Sequence, residues 1–297
     1  MFRLAHLSDP HLPPPAGPGA RGELAAKRAL SRLAWRRKRR GHDPAVLAAI
    51  TADVAAQACD HVAVTGDLTN FSTLAEFAGA RAWLETLGPA SGVTVSPGNH
   101  DALVAQDEGR RFAGLAPWFG DAGDGDFPHV RRRGEVALVN LCSAIPTPPL
   151  FATGRLGAQQ IERLADLLSE LGREKRLRVV LLHHPPVDGV VSRRKALIDA
   201  AGLREVLARC GAELVLHGHG HEAAFGKTAS PAGPIPVLGV PSASATPGHG
   251  HPAARWHAIE ISAAQVEVIA RGLDTATGVI GEIGRYRLPA FRTGIAA

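Results

Sequence analysis

Five short apolar runs in this chain each end in residues of the kind that bind metal ions or move protons. Residues 2–7 lead into Ser8-Asp9-Pro10-His11, and 61–65 into Gly66-Asp67. Residues 93–95 lead into Pro97-Gly98-Asn99-His100-Asp101, and 179–182 into His183-His184-Pro185-Pro186. The fifth run, 214–216, leads into His217-Gly218-His219-Gly220-His221. Runs of this length bounded by turn residues fit buried strands. In open α/β sheets, sites form just beyond the carboxyl ends of the strands. Five strands ending this way would carry Asp, Asn and His side chains from distant positions to one edge. Helix capping by Asp or Asn explains an isolated case, but not five recurrences in one chain.

The pattern between these runs predicts an α/β fold. Strands are expected at 2–7, 61–65, 92–95, 136–141, 178–182 and 213–216, with a strand-rich end at 237–240, 255–261 and 266–270. Thr73-Leu74-Ala75-Glu76 is a capping box, opening a helix with Leu74, Phe77, Leu84 and Leu87 on one face. Residues 157–171 place Ile161, Leu164, Leu168 and Leu171 at helical spacing. The expectation is a single domain over 1–297, with a basic helical insertion at about 12–43 and a shorter insertion around 103–134. The first apolar stretch is too short for a signal-peptide core, and no apolar run is long enough to span a bilayer. A cytoplasmic protein is expected. Cys59, Cys142 and Cys210 lie far apart and suggest neither a disulfide framework nor a Cys-x-x-Cys metal site.

The donor set at the strand ends is chemically selective. Two Asp, one Asn and four or five His supply mixed oxygen and nitrogen ligands, and the lack of Cys argues against a closed structural zinc site. So many donors exceed one tetrahedral ion but suit two ions sharing a carboxylate. Two metals about 3.5–4 Å apart can clamp a phosphoryl oxygen. The set suits Mn, Fe or Zn better than Ca.

The order D-x-H, G-D, G-N-H-D, H-x-P and G-H-x-H resembles the calcineurin-like metallophosphoesterases from about residue 3 to 221. The resemblance implies a four-layered α/β/β/α sandwich of two mixed sheets with a dinuclear metal site at the strand ends. It implies that Asp9, His11 and His221 bind one metal, that Asn99, His183 and His219 bind the other, and that Asp67 bridges both. His100 is similar to the family's proton donor, with Asp101 orienting it. The implied reaction is hydrolysis of a phosphodiester by a hydroxide bridging two divalent or trivalent ions. His184 and His217 are expected to line the pocket or orient ligands. His6, His42, His61, His129 and His257 are read as ordinary buried or surface histidines. A second Gly-His-Gly-His, at 248–251, is read as a loop without a metal role.

The formal charge of +5 is concentrated in one place. Residues 21–40 hold Arg21, Lys27, Arg28, Arg32, Arg36, Arg37, Lys38, Arg39 and Arg40 against Glu23, so the remainder of the chain is slightly acidic. Ala26, Ala29, Leu30, Leu33 and Ala34 fall near one face of a helix, with Trp35 close by. Such a segment can cap an acidic substrate, lie on an anionic membrane, or form a solvated arm. G-N-H-D is shared with bacterial relatives that resemble class III cyclic-nucleotide phosphodiesterases, so cyclic nucleotides or small phosphodiesters are the first expectation. A UDP-2,3-diacylglucosamine pyrophosphatase or another lipid-headgroup hydrolase is the alternative. A nuclease is less favoured, because no groove-reading motif is present. A non-catalytic scaffold of the retromer type is disfavoured by the complete donor set.

Overall fold

Leu4 and Ala5 are neighbours on the first strand and both are fully buried, yet they belong to different cores. Ala63 and Val64 divide in the same way, as do Leu138 and Val139, and Val179 and Val180. Side chains alternate across a strand, so each of these strands is covered on both faces. That requires four layers with three apolar interfaces between them.

The computed structural model describes residues 1–15, 26–105, 112–121, 125–248, 252–262 and 265–288. In chain order the first half comprises β1 (Phe2–Leu7), α1 (Ala26–Lys38), α2 (Pro44–Ala56), β2 (His61–Val64), α3 (Leu74–Leu87), β3 (Val93–Val95), β4 (His129–Arg133) and β5 (Val136–Asn140). There follow α4 (Ala158–Arg173), β6 (Leu177–Leu181), α5 (Ala200–Cys210), β7 (Leu214–His217), β8 (Ala224–Thr228) and β9 (Ile235–Gly239). The strands β10 (Arg255–Ile261), β11 (Val266–Leu273) and β12 (Ile280–Leu288) complete it.

Two six-stranded sheets result, with orders β12-β11-β10-β1-β2-β3 and β4-β5-β6-β7-β9-β8. In the first, β12-β11-β10-β1 are antiparallel and β1-β2-β3 parallel; the second has a parallel centre, β5-β6-β7-β9, with antiparallel β4 and β8, so both are mixed. One core lies between the sheets, with Leu4, Ile259, Leu138 and Leu181. A second sits beneath α2 and α3, with Ile50, Phe77 and Leu84, and a third beneath α4 and α5, with Leu164, Leu168 and Leu203. The four-layered sandwich expected from the resemblance is the observed architecture.

The strands that sequence reading missed are β4, β8 and β12, and all three are sheet edges. These three edge strands each have one partner and a wetter face, so they carry charge or glycine instead of an apolar run. β4 reads His-Val-Arg-Arg-Arg. Its Arg131 is nevertheless buried, because Thr94 Oγ1, the Pro117 carbonyl and Asp121 accept its guanidinium N–H groups. The short insertion expected around 103–134 is therefore corrected. Leu103, Phe112, Leu115, Trp118 and Phe119 are buried, and β4 pairs with β5. The capping box at Thr73 forms as expected. Leu74, expected on the buried face of α3, is instead exposed, while Glu76 is buried through its cap hydrogen bonds.

Candidate dinuclear metal centre

The loops that follow the parallel strands are laced together by their own backbone. Asp9 N donates to the Gly66 carbonyl and His11 N to the Asp67 carbonyl, each at 3.0 Å. Within the second sheet, Gly218 N donates to the His183 carbonyl at 3.1 Å, and across the two sheets His219 N donates to Asp9 Oδ2 at 3.0 Å. Five candidate residues, Asp9, His11, Asp67, His219 and His221, have φ between 42° and 67°. Non-glycine residues seldom occupy this region, and clusters of them mark functional sites. Gly98 and Gly218 are small for a reason of approach. A Cβ at Gly98 would overlap the Asp67 carboxylate, and one at Gly218 would overlap Ser8 and the Asp9 carboxylate.

The seven expected donors come together. His11 Nε2 and His221 Nε2 lie 3.2 Å apart, and His221 Nε2 lies 3.2 Å from Asp9 Oδ1. On the other side, His183 Nε2 is 3.1 Å from Asn99 Oδ1 and 3.1 Å from His219 Nδ1. Asp67 Oδ2 stands between the groups, 3.8 Å from His11 Nε2 and 3.4 Å from His183 Nε2. Two nitrogens bound at right angles to one ion would be roughly 3 Å apart, so these spacings fit shared cations. Asp9 Oδ1 is buried and accepts no hydrogen bond, as a carboxylate oxygen reserved for a cation would be.

What pins each imidazole is equally informative. His11 Nδ1 donates to Asn70 Oδ1 at 3.2 Å, His183 Nδ1 to the Thr65 carbonyl at 2.7 Å, and His219 Nε2 to the Lys195 carbonyl at 2.9 Å. Carbonyl oxygens can only accept, so in the neutral form of each ring the opposite nitrogen turns its lone pair inward. Metal-binding histidines are normally oriented by such a second hydrogen bond. Burial holds His11 and His219 well below 6.5, His11 with help from nearby His42 and His219 with help from His184 and His183, so both rings stay neutral. Burial opposes charge on Asp67 and His183 too, but their mutual attraction wins. Asp67 is held well below the usual carboxylate range, and His183 is raised to about 9. A cation among these groups would meet the same electrostatic demand.

His100 sits beside this cluster. Its N donates to Asp67 Oδ1 at 2.8 Å and its Nδ1 donates to the Asn70 carbonyl at 3.0 Å. Asp101 does not orient this ring, contrary to expectation. Its carboxylate accepts from Thr69 N and Oγ1 and from Gly98 N, and Thr69 Oγ1 donates in turn to the His100 carbonyl. Burial and the Asp67 charge push Asp101 up to about 6. Asp101 thus shapes the loop, and Asn70 orients the imidazole. Sequence reading missed Asn70, although it continues the polar ending Gly66-Asp67-Leu68-Thr69.

The basic segment is also placed. Lys27 Nζ donates to the Thr147 carbonyl and Oγ1, and buried Arg28 donates to the Phe71 and Ser72 carbonyls. Arg32 lies over the Phe71 ring at 5.5 Å. These cations dock α1 across the site rather than forming a solvated arm. Trp35 reaches within 6.4 Å of the His11 ring, and a cavity of about 100 Å³ is lined by Ser31, Ala34, Trp35, Asn70, Phe71 and His100. The apolar face of α1 turns outward, with Leu30 48% and Leu33 56% exposed. Arg21, Glu23, the side chains of Arg36, Arg37 and Lys38, and residues 249–251 of the second Gly-His-Gly-His lie outside the described part. His184 and His217 are buried beside the donors, and His42 is not an ordinary surface histidine. It comes from the end of the basic segment to stand next to His11 and His221.

The sequence pattern of the family described as calcineurin-like phosphoesterase matches residues 2–223. The chain belongs to that family. It is 30% identical over 180 residues to a probable cyclic nucleotide phosphodiesterase of Synechococcus, a match covering 59% of this chain and 63% of that relative. A crystal structure of a dimetal phosphatase from Danio rerio superposes with a TM-score of 0.56 at 15% identity, covering 91% of this chain and 96% of the other. A purple acid phosphatase from yellow lupin seeds gives 0.59 at 11% identity, covering 100% of this chain and 55% of that one. Both structural likenesses bear on the fold. Among the described residues, no helix is long and apolar enough to cross a membrane.

Proposed function

We propose that the protein hydrolyses phosphodiesters with two metal ions held at the strand ends. Asp9, His11 and His221 hold one ion, Asn99, His183 and His219 the other, and Asp67 is shared. The observation that carries this reading is the inward turn of three buried imidazoles whose outward nitrogens are tied to Asn70, Thr65 and Lys195. The oxygen and nitrogen set without thiolate suits Mn, Fe or Zn. Bound metals supply a nucleophile at neutral pH and positive charge for the phosphoryl oxygens.

The chain's own residues do the rest. Asp67 fixes the backbone of His100, and the Asn70 carbonyl holds its Nδ1–H. That leaves the Nε2 edge to carry a proton to the leaving oxygen, which departs poorly as an alkoxide. Docked α1 and Trp35 narrow the approach to His100 and favour a small substrate. Cyclic nucleotides are the first choice, supported by the Synechococcus relative. The outward Leu30 and Leu33 favour a second reading, in which the diester belongs to a lipid headgroup and α1 meets an anionic membrane.

A metal-reconstituted screen tests both readings. Cyclic nucleotides, glycerophosphodiesters, UDP-diacylglucosamine, single-stranded DNA and a bis-aryl phosphodiester would be offered with Mn, Fe or Zn. Metal-dependent cleavage of the aryl diester and of one natural class is expected. No hydrolysis of any of them with any metal would overturn the assignment.

A further inference from the structure

We infer that Trp35 sorts the two arms of an unequal phosphodiester, so that a small alcohol leaves and a nucleoside stays on the phosphate. The inference rests on the proposed reading, in which His100 carries a proton to the leaving oxygen.

Two cavities meet at this residue. The smaller, about 100 Å³, is lined by Ser31, Ala34, Asn70, Phe71 and His100. The larger, about 350 Å³, is lined by His11, Pro13, Pro14, Arg39, Pro44 and Leu47 among others. Trp35 is common to both linings. Its indole stacks on His42 with planes 17° apart and meets Phe71 edge-on at 6.4 Å. His42 belongs to the larger lining and Phe71 to the smaller, so the indole stands between the cavities. The helix that carries it is held by the hydrogen bonds of Lys27 and Arg28. The His11 and His100 rings are 5.0 Å apart. The two cavities therefore converge on one place, beside the shared Asp67.

Chemistry decides which arm goes where. An alkoxide departs poorly, so the leaving oxygen must come within reach of His100. Its arm then lies in the cavity that His100 lines. Sites for small molecules usually measure about 300–1,000 Å³, a range the larger cavity enters and the smaller does not. The leaving arm is therefore a short alcohol, and the retained arm takes the larger space. Proline, leucine and indole walls suit a flat, largely apolar body, and the exposed Arg39 offers donors to ring acceptors. A nucleoside combines these features. A cyclic nucleotide meets the same condition, because its leaving oxygen brings no separate alcohol. In the reaction, the hydroxyl of water joins phosphorus as the bond to the small alcohol's oxygen breaks. The proton reaches that oxygen by way of His100, and the nucleoside remains as a phosphate monoester.

The test offers the Mn-loaded full chain the methyl ester of adenosine 5′-monophosphate (AMP) and identifies the products. Methanol and AMP should exceed adenosine and methyl phosphate by at least about 10-fold. Calorimetry reads the larger cavity without turnover, and AMP should bind more tightly than methyl phosphate. Arg39→Ala should weaken AMP about 10-fold and methyl phosphate much less. Trp35→Ala joins the two cavities and should lower the product preference about 10-fold. Trp35→Phe keeps an aromatic wall, guards against a folding artefact and should retain most of the preference. Equal cleavage of the two bonds, or release of adenosine as the main product, would overturn the inference. So would unchanged AMP affinity and product ratio in natively melting Arg39→Ala and Trp35→Ala. A chain that hydrolyses the bis-aryl diester but not this one would also overturn it and leave the two-metal reading standing. A chain that cleaves neither with any metal would overturn both.

Discussion

The two halves of the candidate centre each bring three histidines together. On the first side, His11, His221 and His42 converge, with His42 Nδ1 2.8 Å from Ser244 Oγ. On the second, His183, His219 and His184 converge equally closely, but both nitrogens of His184 are bonded within the protein. Proximity alone does not distinguish a ligand from a wall. What distinguishes them is where the second nitrogen of each ring goes. The first half has a segment from between the first and second helices packed against it, whereas the second is built from sheet ends.

The largest expected effect is on the residue the halves share. Asp67→Asn removes the charge between them, and both ions should bind far more weakly, with kcat/KM falling at least about 10³-fold. Metal analysis beside steady-state kinetics checks this. An enzyme that keeps both ions and its rate would break the division into two halves joined at Asp67. His100→Ala should lower kcat about 10²–10⁴-fold with metal content unchanged, and the loss should shrink for an aryl leaving group that needs no proton. Equal losses on alkyl and aryl esters would remove His100 from the acid role.

Asn70→Ala sharpens the comparison at its orienting layer. It frees His11 Nδ1 on the first side only, so metal affinity there should fall about 10–100-fold while the second site holds. His184→Ala should leave metal affinity on the second side within about threefold, and affect melting more than binding, because its hydrogen bonds are structural. A large loss of metal from His184→Ala would erase the distinction between the two sides.

The smallest effect concerns histidines away from either half. Burial, with Arg131 and Arg133 nearby, holds His61 at about 3, and burial with Arg255 nearby holds His257 at about 4. Both are neutral in the folded and unfolded chains above 6.5. As pH falls from 6.5 toward these values, the unfolded chain takes up protons that the native chain refuses, so stability declines. The melting temperature of the metal-stripped protein should drop below pH 6.5, with a shallower drop in His61→Gln. Melting independent of pH between 7 and 5 would contradict this account.

Much of this was legible in the sequence, because the strands that build the centre are buried on both faces and read as apolar runs. Their endings announced Asp9, His11, Asp67, Asn99, His183, His219 and His221, all of which the fold brings to one edge. The edge strands β4, β8 and β12 were hidden because half-wet strands carry charge and glycine. His42 was hidden for a different reason. It follows no strand, and the backbone around it is held by Ser244 and Thr246, more than 200 residues away in the chain. Charge in the basic segment suggested a polyanion, whereas its Lys27 and Arg28 are used on peptide carbonyls. Asp101, read as the partner of His100, shows that sequence adjacency does not fix which acceptor a ring will find.

The central claim is that two adjacent donor groups hold two cations through a common Asp67. Anomalous diffraction from crystals of the Mn-loaded protein addresses it directly. Two peaks are predicted, one at bonding distance from Asp9, His11 and His221, the other from Asn99, His183 and His219, with Asp67 touching both. A single peak, or ions bound away from these residues, would contradict it.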